Sequence, residues 1–452
     1  MRVTWKARTA VCLVVLGAVY WLGGSPAAAQ DEPNEALIEM VTTLVSDADR
    51  DMRALGLQQI REEVPGEAAT KKFAELLPKL APEGQAELLG ALGDRGDVAA
   101  KPAVMSMLDS EQPAVRAAVL SALGALGGPG DVPLLAKGTA AGSDAEKAAA
   151  RLALVRLRGE GVNEAVVSAI DGAGPEVHAA LLGVLASRNA KEALPTVVVS
   201  TQDQAEPVRL AALSALRYLA DVDDTAKLLD VLGEVQSEAE RRKAELALLA
   251  VCSRGGQQCA EPLAAAYETA DPATRIVLLH ALARAGGDKA AATITNKGLN
   301  DDDRAVRDEA VRMLSRWPDP DAIVPLLHLA ESADELRHKV LAIRGVVRLA
   351  CAEQPPDVDV IEVALELASR PEEKRLILGA LGNIGTPEAL ALVTPLLADA
   401  AVAEEAALAA IAIAEKIKGD APARAREALE KVLTGPASQA TRKRAQEVLD
   451  SM

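Results

Sequence analysis

The sequence predicts an all-α fold, an α-solenoid of about twelve tandem two-helix repeats, and three observations carry that prediction. A pattern returns every 30 to 33 residues, apolar positions within it follow three-and-four spacing, and glycines and prolines punctuate it. Strand-like alternation of apolar and polar residues is not evident.

The amino end is read first, because a removable segment is no part of a fold. Arg2, Lys6 and Arg8 form a basic stretch, Ala10 to Leu22 is apolar, and Ala27-Ala28-Ala29 offers small residues where a signal peptidase reads. Residues 1–29 are therefore expected to be a signal peptide, with 30–452 a single solenoid that ends in a capping region. The alternative is an uncleaved amino-terminal anchor, but the apolar run has thirteen residues, where a spanning helix needs about 20. Gly23-Gly24-Ser25-Pro26 also interrupts its extension. Cys12 sits inside the run, unlike the cleavage-point cysteine of a lipoprotein. The expected location is periplasmic or secreted, with no membrane insertion after cleavage.

The repeat is clearest from Val115 to Gly127, where apolar residues mark one face of a helix. Gly127-Gly128-Pro129-Gly130 ends it, and Asp131-Val132-Pro133 opens a second helix with an acidic cap and an early proline. Aligned on Val115, units recur near Met52, Gly84, Val115, Lys147, Val177, Val208, Arg241, Thr274, Val306, Leu336, Glu373 and Ala403. One spacing, of 37 residues, is longer, because Ala352-Glu353-Gln354-Pro355-Pro356-Asp357 extends a turn. Eight positions after the mark stands a large aliphatic residue, as at Leu92, Leu123, Leu185, Leu216, Leu249, Leu282, Leu314, Leu381 and Ile411. Each helix pair then buries its apolar face against its neighbours alone. Pro102, Pro133, Pro195, Pro262 and Pro325 fall near second-helix starts, where a missing amide hydrogen costs nothing.

At these residues the chain resembles the short, phycobilisome-lyase-like HEAT repeats. Val115-Arg116, Val208-Arg209 and Val306-Arg307 match that family's dipeptide, and Ala91-Leu92-Gly93, Ala122-Leu123-Gly124 and Ala380-Leu381-Gly382 match its Ala-Leu-Gly turn. The resemblance covers about residues 35 to 452 and implies a fold, not an activity. It also implies that second helices line the concave side of an elongated array.

Composition narrows the function. The chain has 66 acidic against 49 basic side chains, and its formal charge of −17 becomes −20 once the three basic residues of the signal leave. Beyond residue 29 the aromatics are Phe73, Tyr218, Tyr267 and Trp317. Nucleic acid is thereby excluded as a general partner, for it needs positive charge and stacking platforms. The HEAT-type deoxyhypusine hydroxylases hold iron with His-Glu dipeptides, but His178, His280, His328 and His338 are followed by Ala179, Ala281, Leu329 and Lys339. Gly-x-Ser-x-Gly, phosphate-loop and His-Glu-x-x-His motifs are absent from the sequence. No catalytic residue, metal ligand or cofactor is assigned. Acidic clusters at Asp47-Ala48-Asp49-Arg50-Asp51, Asp301-Asp302-Asp303 and Asp319-Pro320-Asp321 are expected to cap helices.

Arginine follows the mark at Arg53, Arg116, Arg209, Arg242, Arg275, Arg307 and Arg337. These are expected to form a structural ladder with turn acids of adjacent units, such as Asp97, Asp131, Asp221 and Asp288, because partly buried charges need partners. Trp317 is expected as a buried turn anchor. Cys252 and Cys259 flank a short glycine-containing turn and are expected to form a disulfide in an oxidising compartment, with Cys351 unpaired.

The expected function is a non-enzymatic scaffold that binds a protein or peptide outside the cytoplasm. Its alternative is an extracytoplasmic hydrolase or metal-dependent enzyme with an unrecognised site. Second helices carry small or neutral residues, among them Ala264-Ala265-Ala266, Thr196, Ser200, Thr293, Thr295 and Thr394, so a partner is expected to spread over units from about Val177 to Leu349. Tyr267 and His328 are the candidate anchors along that row.

Overall fold

The structure is a computed structural model, and it describes residues 35–452. The expected signal segment lies outside the described residues. These residues hold helices and no strand, and they divide into two compact units between Arg188 and Asn189.

In the first unit, long first helices Arg50–Glu62, Pro82–Arg95, Pro113–Leu126, Asp144–Arg156 and Pro175–Ser187 alternate with short second helices Glu67–Ala74, Lys101–Met105, Val132–Gly138 and Val162–Ser168. In the second unit the first helices are Glu206–Leu219, Glu238–Gly255, Pro272–Ala285, Arg304–Ser315, Leu336–Ala352, Pro371–Leu381 and Ala403–Ile417. Second helices there include Leu194–Ser200, Thr225–Gly233, Ala260–Tyr267, Gly287–Thr293, Ile323–Ser332, Val358–Leu367 and Pro387–Val393. Helices Pro422–Thr434 and Gln439–Asp450 follow. All twelve register positions, Met52 to Ala403, fall inside first helices, and each unit is an α-solenoid of helix pairs.

Local chemistry sets the helix starts. The Ser143 hydroxyl accepts from the Glu146 amide while the Glu146 carboxylate accepts from the Ser143 amide, which satisfies two otherwise free donors. The Asp49, Ser237, Asp271 and Asp303 side chains each accept an amide hydrogen of their helix's first turn, without the reciprocal bond, so two of the three acidic clusters serve as helix caps, whereas Asp319 makes no capping bond. Pro102, Pro133 and Pro195 stand at the second residue of their helices, and Pro262 and Pro325 at the third.

Leu92, Leu123, Leu185, Leu216, Leu282, Leu314, Leu381 and Ile411 are fully buried, each contributing about 1.5–3 kcal/mol relative to exposure. Leu249 breaks the series. Its neighbour Leu248 fills the core instead, because Ser237 caps the helix one residue earlier than the apolar pattern implies. Trp317 is buried as expected. The Ala-Leu-Gly motif ends its helix at Gly382, as the sequence suggests, but has a different role in the other two copies. Gly93 and Gly124 lie inside their helices, where a Cβ would sit 3.0 Å from the Ala122 Cα and 2.9 Å from the Ala153 Cα. The glycine is what lets consecutive first helices approach backbone to backbone.

Candidate functional site

First helices are joined by charge in both directions along the stack. A cation at the fourth helical residue reaches forward one repeat: Arg53 donates to Glu87 (3.2 Å), Arg116 to Glu146 (2.7 and 3.2 Å), Arg209 to Glu240 (3.0 and 2.9 Å), and Arg275 to Asp301 (3.3 and 3.1 Å). The Arg116 hydrogen bond, with others from Ser143, holds Glu146 well below the usual carboxylate range, at about 2, against the cost of burial. The column differs from the expected one at three places. Arg241, not Arg242, reaches forward, to the Thr274 hydroxyl at 3.0 Å, while Arg242 faces solvent and pairs with Glu238 of its own helix. Arg337 stands two residues before the column position in its helix. Arg307 donates to the carbonyls of Asp301 and Asp302 in its own approach turn. The partners differ as well: Asp131 accepts from Lys101, Asp221 from Lys191, and Asp97 from Thr70.

A second column, unread in the sequence, runs backward. Arg95 donates to the Ile60 carbonyl (2.7 Å), Arg188 to those of Leu154, Val155 and Leu157 (2.9 Å each), Arg254 to Ala220 (2.7 Å), and Lys416 to Gly382 and Asn383 (3.1 and 2.8 Å). Arg348 does the same for Ser315 and Trp317. Each cation thus answers the unpaired carbonyls and negative dipole end of the preceding first helix.

Second helices are short and lined with small residues, and grooves open between successive ones. In the second unit, a groove of about 510 Å³ runs between the segment after Gly287–Thr293 and helix Ile323–Ser332. Thr295 and Asn296, on its wall, belong to a π-helical turn, Ile294–Gly298, a distortion frequent at functional sites. Pro325, His328, Ser332, Glu335 and His338 complete its other side. A further groove of about 350 Å³ passes Leu390, Thr394, Arg424 and Glu427. In the first unit a groove of about 710 Å³ runs past Pro133, Ala136, Ala165 and Ala169.

The two candidate anchors part company here. His328 is exposed on the 510 Å³ groove, with its ring 3.3 Å from the Ser332 hydroxyl. Tyr267 is in the core, 3% exposed, and so is no interface anchor. Its hydroxyl donates to Asp301 at 2.8 Å beneath the Arg275 guanidinium, and burial together with Asp301 pushes its pKa up. Thr293 and Ser200 are also buried, their hydroxyls returned to their own helices. Cys252 and Cys259 come together in the core as free thiols, where burial and the neighbouring sulfur push the Cys252 thiol up. Cys351 is free and half-buried in the last turn before the inserted segment.

Two constellations have no counterpart in the sequence reading. His280 is held between Glu245, 2.5 Å from Nδ1, and Glu309, 3.0 Å from Nε2, which joins three consecutive first helices. Hydrogen bonds to Glu245 and Glu309 raise the imidazole to about 9 in spite of burial, and the bond to His280 lowers Glu309 to about 2. Asp308, Glu335 and His338 form the second, at the groove: His338 Nε2 lies 2.6 Å from Asp308 and 4.0 Å from Glu335. The only trace of either in the sequence is acid and histidine about one repeat apart, as at 245, 280 and 309 or at 308 and 338.

Residues 70–155 and 252–344 match the family model for HEAT repeats. In those two segments the chain is similar to HEAT repeats. The matched segment 252–344 contains His280, Asp308, Glu335, His338 and all the residues that line the 510 Å³ groove. No curated protein matches the chain by sequence. Solved structures match it in fold. A karyopherin, Kap121p, bound to the extreme C-terminus of the protein phosphatase Cdc14p is 15% identical, over 92% of this chain and 53% of that one, with a TM-score of 0.53. Kap121p bound to RanGTP is 16% identical over 99% of this chain and 56% of that one, with a TM-score of 0.51. A homology model of the AP-3 complex in an intermediate open conformation is 11% identical over 92% and 87%, with a TM-score of 0.53. The chain therefore spans about half the length of the karyopherin chains it matches.

Proposed function

We propose that this chain is a non-enzymatic scaffold that binds a protein or peptide partner along its second-helix face, and that it acts outside the cytoplasm. The observation that carries the binding reading is the 510 Å³ groove, an open channel between second helices whose wall combines hydroxyl, amide and imidazole groups with the apolar Leu299, Pro325 and Leu329. Such a mixture suits an extended or helical segment that brings its own apolar anchors and hydrogen-bonding groups. Kap121p, of similar fold, has been seen bound to Pho4p, Cdc14p, Ulp1p and Nup53p, which supports protein binding by such a stack. Export rests on the basic, apolar and small-residue order of residues 2–29. The likeness to phycobilisome-lyase-like repeats enters as a likeness of repeat type, without the lyase activity.

Site-specific photo-crosslinking tests the reading. A photoreactive residue placed at His328 is expected to capture a protein from the native extracytoplasmic fraction, and Asn296→Arg combined with Ser332→Arg is expected to cut that capture at least tenfold. The same probe at Leu246, exposed on a first helix, is the reference. Capture from Leu246 alone, or capture untouched by the two arginines, would remove the second-helix face from consideration.

A further inference from the structure

The end of the 510 Å³ groove gathers three metal-ligating side chains from two consecutive repeats. Asp308 projects from helix Arg304–Ser315, His338 from the first turn of Leu336–Ala352, and Glu335 is that helix's cap residue. One ligand atom from each lies within 4.8 Å of the other two. We propose that Asp308, Glu335 and His338 bind one divalent transition-metal ion of the zinc class at the rim of this groove.

Charge and size both support the assignment. The single Nε2 of His338 carries at most one proton, and at 2.6 Å that proton serves Asp308; Glu335, at 4.0 Å, lies beyond hydrogen-bonding reach of it. A dication answers both carboxylates and the nitrogen lone pair together. Zinc bonds of about 2.0–2.2 Å place tetrahedral ligand atoms roughly 3.3–3.5 Å apart. The His338–Asp308 separation of 2.6 Å therefore opens by less than about 1 Å, the His338–Glu335 separation of 4.0 Å closes by less than that, and Asp308 and Glu335, within 4.8 Å of each other, close by up to about 1.5 Å, within reach of side-chain rotation. The imidazole donor selects zinc, copper or nickel over calcium and magnesium, which take oxygen ligands.

The side chains are 10%, 19% and 34% exposed for His338, Asp308 and Glu335, so the site is shielded yet open to an ion. Arg304 donates to Glu335 at 3.0 Å, which orients the carboxylate from the second layer while weakening the site's pull on a cation. Three protein ligands would leave a coordination position free, and two of them, Glu335 and His338, line the groove. The inference stands apart from the protein-binding reading, because metal binding is measured without a partner.

The test uses the full chain, stripped of metal with a chelator and titrated with Zn²⁺ against a chromophoric competitor, with Co²⁺ as a spectroscopic stand-in. The expected result is one ion per chain, a Co²⁺ absorption typical of low coordination number, and at least a tenfold loss of affinity in Glu335→Gln and His338→Ala. His280→Gln, at the other histidine–glutamate cluster, is expected to leave the affinity unchanged. Helicity and thermal unfolding in chelator establish that each variant is folded. If His338→Ala does not fold, Glu335→Gln decides, since that side chain is partly exposed at the helix cap. No saturable site in the wild type, or less than a tenfold loss in the deciding variant, overturns the assignment.

Discussion

Raising the pH through the titration of His280 should loosen three consecutive first helices of the second unit, and the size of the effect follows from its two partners. The imidazole bridges Glu245 and Glu309, with Arg312 also on Glu309, and its pKa rises from 6.5 to about 9. At 1.36 kcal/mol per unit, the full shift corresponds to at most about 3.4 kcal/mol. With 29% of the side chain exposed, solvent screening reduces this to about 1–2 kcal/mol. The folded pKa is raised, so this stabilisation is fully present below pH 6.5 and is lost as pH climbs through about 9. The depressed Glu309 pKa describes the same interaction from the other side and is not added to it; its loss lies on the acid side, as pH falls from 4.5 through about 2. Hydrogen exchange on helices Glu238–Gly255, Pro272–Ala285 and Arg304–Ser315 measures the opening free energy. Wild type should lose about 1–2 kcal/mol there between pH 6.5 and 9.5, and His280→Gln should show no such step. With only four histidines in the chain, labelled-histidine NMR gives the midpoint directly. A His280 midpoint below 7, or an equal pH response in His280→Gln, would refute the reasoning.

Three further outcomes are expected. Arg209→Ala leaves Glu240, 1% exposed, without its cation and should cost about 3–5 kcal/mol in local opening, against less than about 0.5 kcal/mol for the outward-facing Arg242→Ala; equal effects would disprove the register given above. Gly124→Ala should destabilise, because its Cβ would sit 2.9 Å from the Ala153 Cα, whereas Gly183→Ala, with open space around it, should stabilise by about 0.5–1 kcal/mol, both read by thermal unfolding. In protein recovered from an oxidising compartment, a non-reducing peptide map should join Cys252 to Cys259 and leave Cys351 free, and two free thiols there would dispose of the bridge.

The helix pairs were legible because a period of 30 to 33 residues survives any local ambiguity, and the first-helix leucines fill the core accordingly. Register within a unit was less secure. An apolar pattern tolerates a one-residue slip that a capping hydroxyl does not, so Ser237 moves the true column from Arg242 to Arg241 and the core residue from Leu249 to Leu248. Tyr267 was misread because the group that makes its burial tolerable, Asp301, is 34 residues away. The same distance hides the His280 bridge and the His338 cluster: their partners lie about one repeat away and become neighbours only when repeats stack. The grooves were foreseeable in outline, since small second-helix residues cannot interdigitate, but the π turn that forms part of the wall of the 510 Å³ groove leaves no mark in composition.

The two opposed cation columns bear on how such a chain lengthens and shortens over generations. The Arg116–Glu146 and Arg209–Glu240 rungs each join the fourth residue of one first helix to the third of the next, 30 and 31 residues on, so an in-frame exchange of whole units between them hands the forward-reaching arginine to an equivalent acid, and the backward-reaching one to an equivalent helix end. Recombination between two such units thus leaves neither arginine without its acid, whereas a cut at half a period strands a buried glutamate. The column fails at Arg307, which stays in its own approach turn, and again at the long unit near Leu336. There the column position is Lys339, which turns back to the Glu331 carbonyl of the preceding second helix, and the buried Oε1 of Glu373 has no donor. Copies of that unit are not substitutes for the others, and crossover points are expected to fall on either side of it.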